Sequence, residues 1–296
     1  MLKFSSKISS RERANAIGEF LSEKCLIRWT IEADAASGEC YLCGYVEDEA
    51  SGKSDFVRIK EECGGGEEPS VASIDATDWE NAYKRFAKPW RCENLHWIPA
   101  FMEGEVDIPD GDVAVCIDPG MAFGSGSHET TRLCAKAMVM FKNLYEKTGD
   151  LGIKDCIDVG CGSGILGISA IKLGLAHVTF IDIDESALRI SRENAEQNGL
   201  FPDQMDFAAG DLRISILGRQ TDLLVANILT DVLVQNADLL VSSVRSGGLL
   251  CLSGILKKEK AEVVSIFGKL VKKKWESAME NFIEDGEWVA LAYFRG

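Results

Sequence analysis

A glycine-rich segment, Asp158–Gly164 with the sequence Asp-Val-Gly-Cys-Gly-Ser-Gly, lies where an apolar strand turns into a helix. Glycines such as Gly160 and Gly162 suit a tight turn whose backbone comes close to a bound ligand. Asp182 and Asp184 stand at the end of the next strand, with Asp182 22 residues after Gly160. A carboxylate there accepts hydrogen bonds from the ribose hydroxyls of an adenosine. We predict a nucleoside site with Asp182 as the ribose ligand and Asp184 as a helix cap.

Two nucleoside cofactors are compatible with this segment. Gly162–Gly167 satisfies the pattern G-x-G-x-x-G of dinucleotide sites, which favours a nicotinamide cofactor. That pattern starts about two residues late, and Asp158 precedes a G-x-G-x-G instead. The Asp158 carboxylate would repel a pyrophosphate, whereas it can bind the ammonium of S-adenosylmethionine directly or through water. We therefore favour S-adenosylmethionine over NAD. Asp211 follows a third predicted strand and is either a contact of the adenine amino group or a turn residue.

A second glycine-rich segment runs from Asp118 to Thr131. Its glycines keep the loop free of side chains, Phe123 is an apolar anchor, and Thr131 opens a helix. Such a loop can fold over the methionine part of the cofactor and exclude water. His128 is either a helix-entry residue that holds the loop or a contact of the methyl acceptor. Asn227 ends a strand at the edge where open sheets bind ligands, so its amide can hold the methionine end or the incoming amine.

Strands and helices alternate from residue 112 onward, which predicts a parallel, doubly wound sheet with helices on both faces. We expect strands at 113–117, 155–159, 178–183, 205–208, 223–227 and 248–253. Helices are expected at 130–145, 164–173 and 185–198. The final part, 274–279 and 288–294 around Asp285-Gly286, predicts a hairpin that closes the sheet with an antiparallel strand.

Residues 1–70 predict a small α+β domain, and residues 71–111 a linker. We expect a helix at 10–24, strands at 25–31, 39–46 and 55–59, and a helix at 79–86. Gly64-Gly65-Gly66 is a linker or hinge signal.

The chain of 296 residues has a formal net charge of −15, which argues against a general binder of phosphate backbones. Residues 31–70 hold 11 acidic and three basic residues, a net charge of −8 that suits a basic partner. No apolar run approaches the ~20 residues of a membrane span, and the first residues lack the apolar core of a signal peptide. We expect a cytoplasmic location without direct binding to nucleic acid or membrane.

The ten cysteines predict neither disulfides nor a metal site, although Cys40 and Cys43 have the spacing of a zinc knuckle.

Three segments together resemble the PrmA methyltransferase family. Residues 118–131 closely resemble its signature D-P-G-x-A-F-G-T/S-G-x-H-x-T-T, 158–166 its glycine-rich turn, and 226–229 its A-N-I-L after the fourth strand. The resemblance implies a seven-stranded class I methyltransferase sheet, methylation of ribosomal protein L11, and contacts to S-adenosylmethionine from Thr131, Gly160, Asp182 and Asn227. Residues 1–70 resemble the family's recognition domain only in size and α+β pattern.

The expected chemistry is methyl transfer to lysine and α-amino nitrogens, with Asn227 and His128 as the catalytic candidates. Asn227-Ile228-Leu229-Thr230 lacks the aromatic residue that would stack on a flipped base, so protein amines are favoured over nucleobases. Three alternatives remain: a related methyltransferase with another protein substrate, an NAD-dependent oxidoreductase, and an inactive assembly factor that binds the cofactor.

Overall fold

The computed structural model describes residues 2–23, 26, 28–33, 39–46, 48–64, 67–73, 87–118, 124–148 and 155–296. The chain divides into two compact units, Met1–Phe86 and Ala87–Gly296. The predicted helix at 79–86 and most of the glycine hinge lie outside the described residues.

The first unit is a four-stranded antiparallel sheet with two helices. In chain order the elements are β1 (Leu2–Lys7), α1 (Arg11–Glu23), β2 (Trp29–Ala33), β3 (Cys40–Val46), α2 (Glu49–Cys63) and β4 (Ser70–Ser73). The strands lie in the order β2-β3-β1-β4. Phe4, Trp29 and Phe56 form the centre of its core.

The predicted strand at 55–59 is wrong, because these residues belong to α2. Asp48 caps this helix by accepting a hydrogen bond from the Ser51 N–H. Gly52, Phe56 and Ile59 are buried on one face at helical spacing. An N-cap and a period of about 3.6 therefore outweigh the strand preference of the β-branched residues in this short run.

The second unit begins with a three-stranded sheet of β5 (Trp90–Cys92), β6 (Leu95–Pro99) and β7 (Val113–Ile117), in the order β5-β6-β7. Residues 71–111, expected to be a linker, thus contribute strands to both units, since β4 pairs with β1. Leu95 and Trp97 of β6 are buried in the core of the second unit, which explains why this part of the expected linker forms a strand there.

The main sheet has seven strands and confirms the predicted doubly wound fold. Its strands are β8 (Asp155–Val159), β9 (His177–Asp182), β10 (Met205–Ala209), β11 (Thr221–Asn227), β12 (Val244–Leu256), β13 (Ala278–Asp285) and β14 (Trp288–Arg295). They lie in the order β10-β9-β8-β11-β12-β14-β13. The first five pair in parallel, whereas β14 runs antiparallel to both neighbours, as a closing hairpin requires. The predicted first strand of this hairpin, 274–279, is wrong in its bounds, because residue 274 ends a helix and the strand is β13.

Helices cover both faces of this sheet. They are α3 (Glu129–Thr148), α4 (Ile165–Lys172), α5 (Glu185–Gln197), α6 (Leu212–Ser215), α7 (Thr230–Gln235), α8 (Ala237–Ser242) and α9 (Lys260–Lys274). One core lies under α3 to α5 and the other under α6 to α9. The central strands are buried on both faces, as in other parallel sheets. Across the described parts of the chain, no helix is long and apolar enough to cross a membrane.

Candidate active site

The site candidates meet at the carboxyl edge of the main sheet. Val159 of β8 pairs with Ile181 of β9 on one side and with Ala226 of β11 on the other. The next residues along these strands are Gly160, Asp182 and Asn227, so the register brings them to one edge. The strand order reverses between β8 and β11, which makes this the crevice where open α/β sheets bind ligands.

The glycine turn after β8 has the backbone that its sequence predicts. Gly160, Gly162 and Gly164 have positive φ values of 67°, 54° and 82°. A Cβ at Gly160 would overlap the Cγ2 of Ile228, and one at Gly164 would lie 2.8 Å from the Cβ of Ser191. The turn therefore requires glycine for its conformation and for its close packing.

Asp182 is the polar centre of the edge. Its two carboxylate oxygens accept hydrogen bonds from the Gly162 and Asp184 N–H groups, each at 3.0 Å. An ionised carboxylate has about four acceptor positions, so two remain for further donors. Asp184 accepts from the Ser186 N–H at 2.8 Å and caps α5, which confirms its predicted role. The Asp182 carboxylate is thus oriented by the glycine turn itself.

Ile183 was not identified from the sequence. It follows Asp182 directly, and its side chain is 83% exposed. The exposed Ile183 side chain therefore offers an apolar surface to a ligand whose polar groups bind the neighbouring Asp182 carboxylate. The signal that marks it in the sequence is an apolar residue between two aspartates just beyond a strand.

Asp158 lies beneath the turn and is only 1% exposed. Its carboxylate accepts a hydrogen bond from the Gly167 N–H at 2.8 Å. Burial raises the pKa of Asp158 to about 7, the Gly167 N–H opposes that rise, and the charge of Asp182 adds to it. The sequence predicts the position of Asp158 but not the depth of its burial.

Replacing Asp158 with asparagine should flatten the pH dependence of stability. The folded pKa of about 7 lies above the ordinary value of 3.8, so the folded state binds more protons between these values. The free energy of unfolding of the unmodified protein should therefore fall as pH rises through this window, by up to about 1.4 kcal/mol per pH unit. Asparagine keeps an oxygen for the Gly167 N–H but does not ionise. Urea denaturation of both proteins across the window measures the slopes, and equal slopes would contradict the prediction.

Asn227 and Thr131, both expected to contact S-adenosylmethionine, lie close together. The Asn227 Nδ2 lies 3.4 Å from the Thr131 Oγ1, and Thr131 is buried in the first turn of α3. The Ser253 hydroxyl donates to the Thr130 carbonyl at 3.0 Å, which fastens this turn to β12. A side-chain amide held at the end of β11 can orient a ligand by donating and accepting hydrogen bonds.

His128 has the contacts expected of a helix-entry residue. Its Nδ1 lies 2.8 Å from the Thr130 hydroxyl and accepts a bond from the Thr130 N–H at 3.3 Å. Its ring packs edge-on against Trp288, at 5.2 Å between centroids. Burial lowers the pKa of His128, while Glu129 opposes that shift. A contact with the methyl acceptor remains a prediction.

Asp211 serves as a cap. Its carboxylate accepts the Arg213 N–H at 2.8 Å, caps α6 and forms an ion pair with the Arg213 guanidinium at 2.6 Å. The hydrogen bonds from Arg213 lower the pKa of Asp211 to about 2. These contacts are those of a turn residue that caps a helix. A hydrogen bond from Asp211 to the adenine amino group remains a prediction. Phe123 lies outside the described residues.

Cys40 and Cys43 lie in β3 as free thiols. Cys43 is buried, lies 3.7 Å from the Ser5 hydroxyl, and has a pKa raised by burial. Among the described residues, no group of three or more His, Cys, Asp or Glu side chains is arranged to hold a metal ion.

Comparison with known proteins identifies a family. The family model described as Ribosomal protein L11 methyltransferase (PrmA) matches residues 17–295. A ribosomal protein L11 methyltransferase of Acetivibrio thermocellus is 37% identical over 222 residues, which are 74% of this chain and 65% of the relative. One of Laribacter hongkongensis is 40% identical over 227 residues, which are 76% of this chain and 69% of the relative. The aligned part thus spans about two thirds of these relatives.

A solved structure agrees with these relatives. The crystal structure of a ribosomal protein L11 methylase from Lactobacillus delbrueckii subsp. bulgaricus matches with a TM-score of 0.57 and 27% identity. The match covers 69% of this chain and 96% of the solved chain. The resemblance noted in the three sequence segments is confirmed.

Proposed function

We propose that this chain, which belongs to the ribosomal protein L11 methyltransferase (PrmA) family, transfers methyl groups from S-adenosylmethionine to lysine and α-amino nitrogens of ribosomal protein L11. The observation that carries this proposal is the family match over residues 17–295, which includes every candidate site residue. We infer ribosomal protein L11 as the acceptor because the similar proteins are named as L11 methyltransferases.

The edge of the main sheet fits S-adenosylmethionine. Asp182 has acceptor positions for two ribose hydroxyls, and exposed Ile183 offers an apolar surface for the adenine. Gly160 and Gly162 keep side chains out of the turn. The G-x-G-x-x-G pattern of dinucleotide sites starts about two residues late in this turn, which disfavours an NAD-dependent oxidoreductase. Thr131, Asn227 and Asp158 would hold the methionine part of the cofactor.

When bound, S-adenosylmethionine supplies an electrophilic methyl group on a sulfonium, which an amine attacks in line. The chain's contribution is alignment and exclusion of water. An acceptor lysine has a reference pKa of about 10.4 and must lose its proton before it attacks. A partly apolar pocket favours the neutral amine. Asn227 would hold the amine by its side-chain oxygen. His128, whose pKa is lowered by burial, would be in its neutral form.

Incubation of purified ribosomal protein L11 with this chain and S-adenosylmethionine tests the proposal. We expect the mass of L11 to rise in steps of one methylene, with S-adenosylhomocysteine as the second product. Calorimetry with NADH is the control. Binding of NADH without binding of S-adenosylmethionine would instead support the oxidoreductase alternative.

The first unit would present the acceptor protein to the transferase. In this proposal residues 1–70 recognise the substrate, and 112–296 carry the transferase together with β5 and β6, which pair with β7 in the same unit. The charge of −8 over residues 31–70 would attract a lysine-rich protein and accelerate encounter. With a ribosomal protein as substrate, the reaction would take place in the cytoplasm and would need no direct contact with nucleic acid or membrane.

A chain that begins at Ala87, where the second unit starts, tests this role. It should bind S-adenosylmethionine with nearly unchanged affinity but methylate L11 more slowly than the full chain. The difference should shrink at high salt, because salt screens the attraction of the acidic segment. Initial rates at low and high salt measure the effect. An undiminished rate of L11 methylation by the shortened chain would rule out a recognition role.

A further inference from the structure

The side chain of Asn194 joins two segments of the site that are distant in sequence. Asn194 lies on the inner face of α5 and is 3% exposed. Its Oδ1 accepts the Asp118 N–H at 3.1 Å, and its Nδ2 donates to the Asp118 carbonyl at 2.9 Å. The same Nδ2 also donates to the Ser163 carbonyl at 2.9 Å. One amide therefore ties the start of the signature segment, residues 118–131, to the glycine turn.

Ser163 makes the second connection between the same two segments. It is fully buried within the glycine turn, and its hydroxyl donates to the Gly124 carbonyl at 2.6 Å. Gly124 has a φ of 106°, and a Cβ there would lie 2.6 Å from the Ser163 Oγ. Asp118 and Gly124, on either side of residues 119–123, are thus both fastened to Ser163 or its partner Asn194.

We propose that Asn194 and Ser163 are positioning residues that fix Asp118 and Gly124 relative to the glycine turn and thereby set the affinity for S-adenosylmethionine. The inference rests on the proposed function, because it takes both segments as parts of one cofactor site. The signature segment leads into Thr131, whose hydroxyl lies near the Asn227 amide. Displacing it relative to the turn would separate the groups that hold the methionine part from those that hold the ribose.

Asn198 provides a matched control one helical turn farther along. Its Oδ1 accepts the Cys116 N–H at 2.8 Å, and its Nδ2 donates to the Cys116 and Asn194 carbonyls at 2.6 and 2.8 Å. It is 8% exposed. Asn198 therefore resembles Asn194 in residue type, burial and number of backbone bonds, but it fastens β7 and makes no bond to the glycine turn.

The test compares Asn194→Ala, Ser163→Ala and Asn198→Ala in the full chain. The readouts are melting temperature, the Kd for S-adenosylmethionine by calorimetry, and the KM for each substrate. Both asparagine variants should lower the melting temperature to a similar extent. Asn194→Ala removes all three hydrogen bonds of the Asn194 side chain and should raise the Kd roughly tenfold. Ser163→Ala should also raise the Kd, and both variants should leave the KM for L11 unchanged. Asn198→Ala should leave the Kd unaltered.

An equal rise in Kd for Asn198→Ala and Asn194→Ala would overturn the inference, because a general loss of rigidity would then explain both. An unchanged Kd in Asn194→Ala or in Ser163→Ala would overturn it as well. If Asn194→Ala does not fold, Ser163→Ala, which removes a single hydroxyl, decides alone. An unmodified chain that binds S-adenosylmethionine but leaves L11 unchanged would contradict the proposed function and leave this comparison of affinities intact.

Discussion

Replacing Asn227 with alanine is expected to lower kcat/KM for methyl transfer to L11 by roughly 100-fold, or about 3 kcal/mol. The physical reason is its position, since Asn227 ends β11 at the point where the strand order reverses, beside the Thr131 hydroxyl. A preoriented amide there would align the amine with the methyl group, and such alignment is lost when the side chain is truncated. Steady-state kinetics with both substrates measure the change.

Asn281→Ala is the matched control for this prediction. Asn281 is also an asparagine in a strand of the main sheet, but it lies in β13 and its Nδ2 contacts the Met140 Sδ at 3.9 Å. This variant should retain the activity of the unmodified chain. If Asn227→Ala stays within about threefold of that activity while it remains folded, Asn227 does not align the reacting groups.

Replacing Asp182 with alanine should weaken the binding of S-adenosylmethionine by roughly 10- to 150-fold, because hydrogen bonds to a charged group contribute about 1.5–3 kcal/mol. The variant loses the ribose contacts and also the carboxylate that accepts the Gly162 N–H. Calorimetric titration gives the Kd, and far-ultraviolet circular dichroism reports whether the fold survives.

Asp184→Ala separates ribose binding from local helix stability. Asp184 lies two residues from Asp182 and caps α5, so its loss should lower the free energy of unfolding by about 1 kcal/mol. The affinity for S-adenosylmethionine should remain nearly unchanged. A folded Asp182→Ala protein whose Kd matches that of Asp184→Ala would exclude Asp182 as the ribose ligand.

Much of the transferase architecture follows from local patterns. The buried part of β11 is predicted from a continuous run of apolar residues, and β8 from three apolar residues next to the glycine turn. The cap at Asp184 is predicted from residue type and position. Gly160, Asp182 and Asn227 are predicted to lie at one edge because the carboxyl ends of parallel strands lie together in a sheet. The wrong prediction of a strand at 55–59 has a local cause as well, because the N-cap signal of Asp48 competes with a short run of strand-forming residues.

Other features depend on the packing of distant segments and were not predictable from the sequence. Asn194 contacts Asp118 across 76 positions of the chain, so its role depends on where α5 lies against the end of β7. Its only sequence signal is an asparagine, repeated at Asn198, on the apolar face of an amphipathic helix. The raised pKa of Asp158 likewise depends on how completely the two cores enclose β8.

We infer that this chain methylates ribosomal protein L11 in the cell. The most direct measurement is mass spectrometry of intact ribosomal proteins from cells that contain the chain and from cells that lack it. We predict that L11 is lighter by whole methylene units in cells without the chain and that restoring the unmodified chain, but not Asn227→Ala, returns the mass. Identical L11 masses in both kinds of cell would contradict the claim.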